Sequence, residues 1–151
     1  MIRQTRTLMV SSPEFTQGGI IPVKYTADGE GINPPLEFGD IPEDTKSLAL
    51  IMEDTDAPKG AFTHWILWDI ISQDSIGENS NPGVSGVNSG GKMGYLPPRP
   101  PSGHHRYFFH IYALDSTLNL RPGANRDALE SAMNGHILVR GTLMGRYGTS
   151  S

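Results

Sequence analysis

Four short apolar runs, each closed off by turn-forming residues, constrain this chain more than any other feature. They are Leu48 to Met52, then Trp65 to Ile71 with only Asp69 interrupting, then the aromatic-rich Tyr107 to Leu114, and finally Ile137 to Leu143. Runs of this length between turns suit strands buried on both faces, as in a sandwich core. Glycine and proline supply the turns. They number 18 and 12, or 30 of 151 residues, about 20% where average usage is about 12%. With 36% hydrophobic and only 19% charged residues, the excess marks a β-rich fold and not a disordered polyelectrolyte. The expected architecture is mainly β: an antiparallel sandwich with Greek-key-like connections. The length fits one domain, on a prior of about 100–200 residues, taken as 1–151.

Other segments fill in the plan. Thr7 to Val10 is β-prone and ends at Ser11-Ser12-Pro13. Ile21, Val23 and Tyr25 alternate with Pro22 and Lys24, which predicts a half-buried strand at an edge, since proline donates no ladder bond. That brings the expected count to six or seven strands. One helix is readable: Asn125 as N-cap, Asp127 in the first turn, Leu129, Ala132 and Met133 as the buried stripe, and Gly135 as terminator. Between Ser72 and Arg106, 21 of 35 residues are Gly, Pro, Ser or Asn. Loops beyond about 12–15 residues are uncommon unless functional or disordered. Here Tyr95, Pro97-Pro98 and Pro100-Pro101 stiffen the backbone, which predicts an ordered loop crossing the mouth of the sandwich.

Composition excludes several classes. No cysteine is present, so disulfides, thiolate zinc sites and cysteine nucleophiles drop out. A net charge of −4 argues against a large nucleic-acid footprint. No apolar run approaches the roughly 20 residues of a membrane-spanning helix. Arg3 and Arg6 precede only three apolar residues, Leu8 to Val10, short of the about 7–15 of a signal peptide. The expected location is the cytoplasm.

The residues that carry chemistry are few. Asp54-Thr55-Asp56-Ala57-Pro58 follows the first apolar run. Its two carboxylates read either as a paired acidic site at a strand end or as an ordinary capping turn. Pro58 stands where a calcium loop needs an oxygen ligand. His64 opens the second run. His104, His105 and His110 lie close together, and in an extended strand His105 and Tyr107 share a face while His104 and His110 take the other. No metal-binding His-x-His or His-Glu-x-x-His motif occurs, and there is no serine elbow, P-loop or dinucleotide fingerprint. No metal or cofactor is expected.

Taken in order, Asp54-Thr55-Asp56-Ala57-Pro58, His64-Trp65, Gly94-Tyr95 with the prolines, and His105-Arg106-Tyr107 resemble the phosphatidylethanolamine-binding protein family, also called Raf kinase inhibitor-like proteins. Ile21-Pro22, Tyr25-Thr26, Asp28-Gly29 and Asn33-Pro34-Pro35-Leu36 resemble its N-terminal part. Gly135-His136 and Leu143-Met144-Gly145-Arg146-Tyr147 resemble its close. The resemblance runs from about Thr7 to Tyr147 and is nearest the compact bacterial and archaeal branch. It implies an antiparallel β-sandwich with a small anion pocket at one end. Carried onto this chain, the pocket would use Asp54, His64, Pro98, His105 and Tyr107, with Gly94 in its wall and Asp56, Tyr95 and Pro101 in support. Thr55 and Pro97 stand where the family usually has proline and glycine, and the stretch from Pro101 to His105 is short.

The resemblance implies a non-enzymatic binding protein for phosphoryl or carboxylate groups, including phospholipid head groups or phosphorylated ligands. Its alternatives are an interaction regulator with a kinase or protease partner, and a weak hydrolase using His64 and Asp54. A homodimer through an edge strand is a further expectation. Asp54 has two readings beside an anion: it orients an imidazole, or it meets the ammonium of a zwitterionic head group.

Overall fold

A computed structural model of the protein describes residues 7–148; Arg3 and Arg6 lie outside them. Eight strands form two antiparallel sheets: β1 (Met9–Ser11), β2 (Leu36–Gly39), β3 (Ser47–Asp54), β4 (Phe62–Ile70), β5 (Ser75–Ile76), β6 (Val84–Ser85), β7 (His104–Leu114) and β8 (Ile137–Gly148), with helix α1 (Arg126–Met133) between the last two. The small sheet runs β1-β2-β5 and the large one β6-β4-β3-β7-β8.

The apolar runs are continuous because the middle of the large sheet is covered on both sides. Leu48, Leu50 and Met52 of β3 face the small sheet with Trp65, Leu67, Phe109 and Ile111. Ala49 and Ile51 point the other way, with Ile66, Trp68 and Leu114, under Leu129 and Met133 of α1. The helix starts as its sequence predicts: the Asn125 side chain accepts from the Ala128 N–H at 2.9 Å. Asp69, the one polar break in the apolar run from Trp65, sits at φ 53° and accepts the Leu118 N–H at 2.7 Å.

Four expectations are corrected. Residues 21–25 are no strand: Pro22 opens a short 3-10 turn, Val23–Tyr25, closed by Tyr25 and Thr26 N–H groups on the Pro22 and Val23 carbonyls. Ile21 and Tyr25 are buried while Val23 is 53% exposed, so no single face could hold all three. The fourth apolar run, in β8, is only half-buried, because nothing covers the outer side of that strand. The long segment 72–106 is broken up by β5, β6 and the start of β7, so the strands number eight rather than six or seven. Finally, β8 is no open edge along residues 140–146. Its Arg140, Met144 and Arg146 carbonyls accept from Leu8, Gly18 and Ile21, and the Arg146 N–H donates to Gly19. Gly141 permits this crossing, since any side chain there would meet the Leu8 carbonyl. Along these residues that side of β8 is thus occupied by the chain's own N-terminal part.

Candidate functional site

The site lies where β3, β4 and β7 end together. Asp54 closes β3; its register partners are Phe62 on β4 and Tyr107 on β7. Phe62 and His64 share one face of β4, and a bulge between Thr63 and Trp65 sets it on the side of His105 and Tyr107 of β7. These side chains line a cavity of about 480 Å³. Its rim comes from the turn after β3, through Ala57 and Pro58, and from the proline segment, through Leu96, Pro97, Arg99, Pro100 and Pro101.

Each histidine has one nitrogen committed. His105 Nδ1 donates to Asp54 Oδ2 at 2.6 Å, and the other Asp54 oxygen accepts the Asp56 N–H at 2.8 Å. His64 Nδ1 donates to the Leu96 carbonyl at 2.7 Å, while the Leu96 N–H returns to the His64 carbonyl. Those bonds fix both rings and leave the two Nε2 atoms for a ligand. Burial pushes His64 below the usual histidine range, so its ring is neutral near pH 7 and its Nε2 carries a lone pair. The ring also stands edge-on to Phe62 and Tyr107, at 5.0 and 5.3 Å between centroids.

Tyr107 completes the floor. Its hydroxyl is buried and has no hydrogen-bond partner in the protein, although buried polar groups are nearly always paired. Burial raises its pKa, so it stays a donor.

Asp56 supports the turn without facing the ligand. Its carboxylate takes the Arg106 N–H at 2.8 Å, Nε at 3.0 Å and an Nη at 2.8 Å. Those bonds, the Arg106 side chain first, hold its pKa at about 2.

Of the expected pocket residues, the structure brings Asp54, His64, His105, Tyr107 and Pro101 to one cavity. Pro98 and Gly94 do not line it. The Pro98 carbonyl turns to accept the Ala27 N–H, and the neighbouring Pro97 faces the cavity instead. Pro97 is accommodated because Gly31, at φ 72°, leaves space beside its ring. Gly94 and Tyr95 belong to a separate cleft of about 340 Å³ with Trp65 and Asn33. There the Tyr95 hydroxyl donates to the Tyr25 carbonyl at 2.6 Å. His110 lies on the opposite face of the sheet, held by Glu53 at 2.6 Å and Thr142 at 2.9 Å. Phe62, Leu96 and Arg99 were missed by the sequence reading. Phe62 was findable, two residues before His64; the Leu96 contribution is a backbone carbonyl, which leaves no trace in side-chain chemistry.

A family model described as phosphatidylethanolamine-binding protein matches residues 11–148. The chain belongs to that family. A UPF0098 protein of Pyrococcus abyssi is 48% identical over 147 aligned positions, covering 90% of this chain and 83% of that one. One from Chlamydia muridarum is 44% identical over 148 positions, covering 93% and 98%. The crystal structure of a phosphatidylethanolamine-binding protein homologue from Chlamydia trachomatis superposes with a TM-score of 0.92 at 40% identity, covering 95% of this chain and 99% of that one. YbcL of Escherichia coli, described as a member of the mammalian family, has the same fold, with a TM-score of 0.87 at 21% identity and coverage of 96% and 100%. No helix among the described residues is long and apolar enough to cross a membrane.

Proposed function

We propose that the protein is a non-enzymatic binding module for small anionic ligands, phosphoryl or carboxylate, held in the cavity between Asp54, His64, His105 and Tyr107. The observation that carries this reading is the buried, unpartnered hydroxyl of Tyr107. Tyr107 lines the cavity with two imidazoles whose Nδ1 atoms are already used. An anion supplies the missing acceptor and gains a hydrogen bond of the charged kind, worth about 1.5–3 kcal/mol. Asp54 supports this as an orienting group, since both its oxygens are engaged. The hydrolase alternative has less support. No serine, threonine or lysine lines the cavity, and Asp54 is tied to His105 rather than to His64.

The test is a backbone and histidine-side-chain NMR titration with inorganic phosphate and with O-phosphoethanolamine. It is repeated on His105→Ala and on Tyr107→Phe, which keeps the ring. Saturable shifts confined to residues 54–64, the proline segment and residues 105–107, weakened in both variants, are expected. An absence of saturable shifts, or shifts indifferent to both variants, overturns the reading.

A further inference from the structure

Above the floor, the cavity changes character. Phe62 and Leu96 continue upward into Pro58, Pro100 and Pro101, a wall with no polar side chain, and the next charge is the exposed guanidinium of Arg99 at the rim. Both nearby carboxylates are occupied, Asp54 by His105 and Asp56 by Arg106. Arg99 itself has no carboxylate partner among the described residues. It is also held in place. Pro98 and Pro100 flank it and restrict the backbone. The Pro98 carbonyl is tied to Ala27, and Leu96 is doubly tied to His64. The stiff backbone keeps the root of the Arg99 side chain at the pocket mouth, while its exposed guanidinium stays free to reach a charge there.

The volume agrees with a ligand larger than one anion. About 480 Å³ falls among cavities that enclose small organic molecules, about 300–1,000 Å³. We infer that Arg99 is a specificity-determining residue. It selects small organic acids that carry two anionic groups separated by an apolar spacer, one on the Tyr107 floor and one at the rim. This inference rests on the anion-pocket reading and narrows it. It disfavours a zwitterion such as phosphoethanolamine, because Arg99 repels the ammonium that would emerge at the rim.

Phenyl phosphate and 4-carboxyphenyl phosphate test it, because they differ only in the second acid. Dissociation constants are measured by calorimetry on the wild-type protein and on Arg99→Gln, at about 20 mM and about 500 mM salt. The wild-type protein at low salt is expected to prefer the bis-acid by about two- to fivefold, the range for an exposed ion pair. The preference should fade at high salt and vanish in Arg99→Gln, where phenyl phosphate weakens by less than the bis-acid does. Equal affinities for the two probes in the wild-type protein, or a preference that survives Arg99→Gln, overturn the inference while leaving the pocket reading intact. If neither probe binds, the pocket reading fails and takes this inference with it.

Discussion

Tyr107→Phe is expected to make the protein more stable and its ligand affinity worse. The substitution removes one oxygen and keeps the ring against His64. In the ligand-free protein that hydroxyl is buried without a partner, and such a group costs about 1–3 kcal/mol. Losing it should raise the free energy of unfolding by about 1 kcal/mol or more. For a chain of this size, each kcal/mol moves Tm by about 2–4 °C. In the complex the same hydroxyl donates to a charged acceptor, worth about 1.5–3 kcal/mol. At about 1.4 kcal/mol per decade, affinity for phosphate should fall by roughly 10- to 150-fold. Urea unfolding in phosphate-free buffer reads the first effect and calorimetry the second. Tyr95→Phe is the control. Its hydroxyl donates to the Tyr25 carbonyl at 2.6 Å, so the same chemical change there should destabilise by about 1–3 kcal/mol, the cost of leaving that carbonyl unpaired, and leave binding unaltered. A Tyr107→Phe protein that unfolds at lower urea than wild type, or that binds phosphate within twofold of it, refutes the reasoning.

Anion binding should strengthen as pH falls. His64 sits below the usual histidine range because it is buried, and only its protonated form offers an Nε2–H donor. Binding should therefore take up protons. Sulfate, whose charge is constant over the range, should lose affinity as pH rises, beginning below the ordinary value of about 6.5; a profile flat from about pH 4.5 to 7.5 refutes the coupling. Asp56, with its pKa depressed to about 2, contributes stability that is present above its unfolded value of about 3.9 and lost as pH falls through about 2. A shift of that size is worth about 2.6 kcal/mol at most. With its solvent exposure we expect about 1 kcal/mol, seen as a shallower acid limb in Asp56→Asn urea midpoints between pH 5 and 2. Gly141→Ala should force Leu8 off β8 and cost about 2–3 kcal/mol in unfolding free energy. A thermal midpoint within 2 °C of wild type would show that the crossing yields easily.

The parts of the fold that were legible in the sequence are those whose pattern is local. β3, β4 and the second half of β7 announce themselves because covering on both faces leaves few polar positions. Helix α1 does so through Asn125 and the Leu129–Met133 spacing. Ile21, Val23 and Tyr25 misled because alternation alone cannot tell a half-buried strand from a proline-initiated turn. β5 and β6 are two residues each, and their pairing is set by what the sheets place beside them. The same division holds in the site. Alternation correctly puts His105 and Tyr107 on one face, but which strands lie beside β7 is non-local, and the family resemblance supplied it. The proline segment defeated residue-by-residue transfer. Its orientation depends on the Leu96–His64 backbone pair and the Ala27–Pro98 bond, so Pro97 faces the ligand and Pro98 does not.

The proposed anion site, on a chain of net charge −4 and with a carboxylate in its wall, poses a local electrostatic problem that the turn after β3 eases. Asp54 gives one oxygen to His105 and the other to a backbone N–H. The second carboxylate, Asp56, is turned outward and neutralised by Arg106. Asp56 does not line the cavity and Asp54 is engaged at both oxygens, while the two imidazole rings beside Tyr107 are held through their Nδ1 atoms. The two histidines are tied to different acceptors. His105 is tied to a carboxylate. Burial among apolar neighbours holds His64 below the usual histidine range, so its Nε2 becomes a donor only on taking up a proton. Arg99 stands apart from both, exposed at the rim.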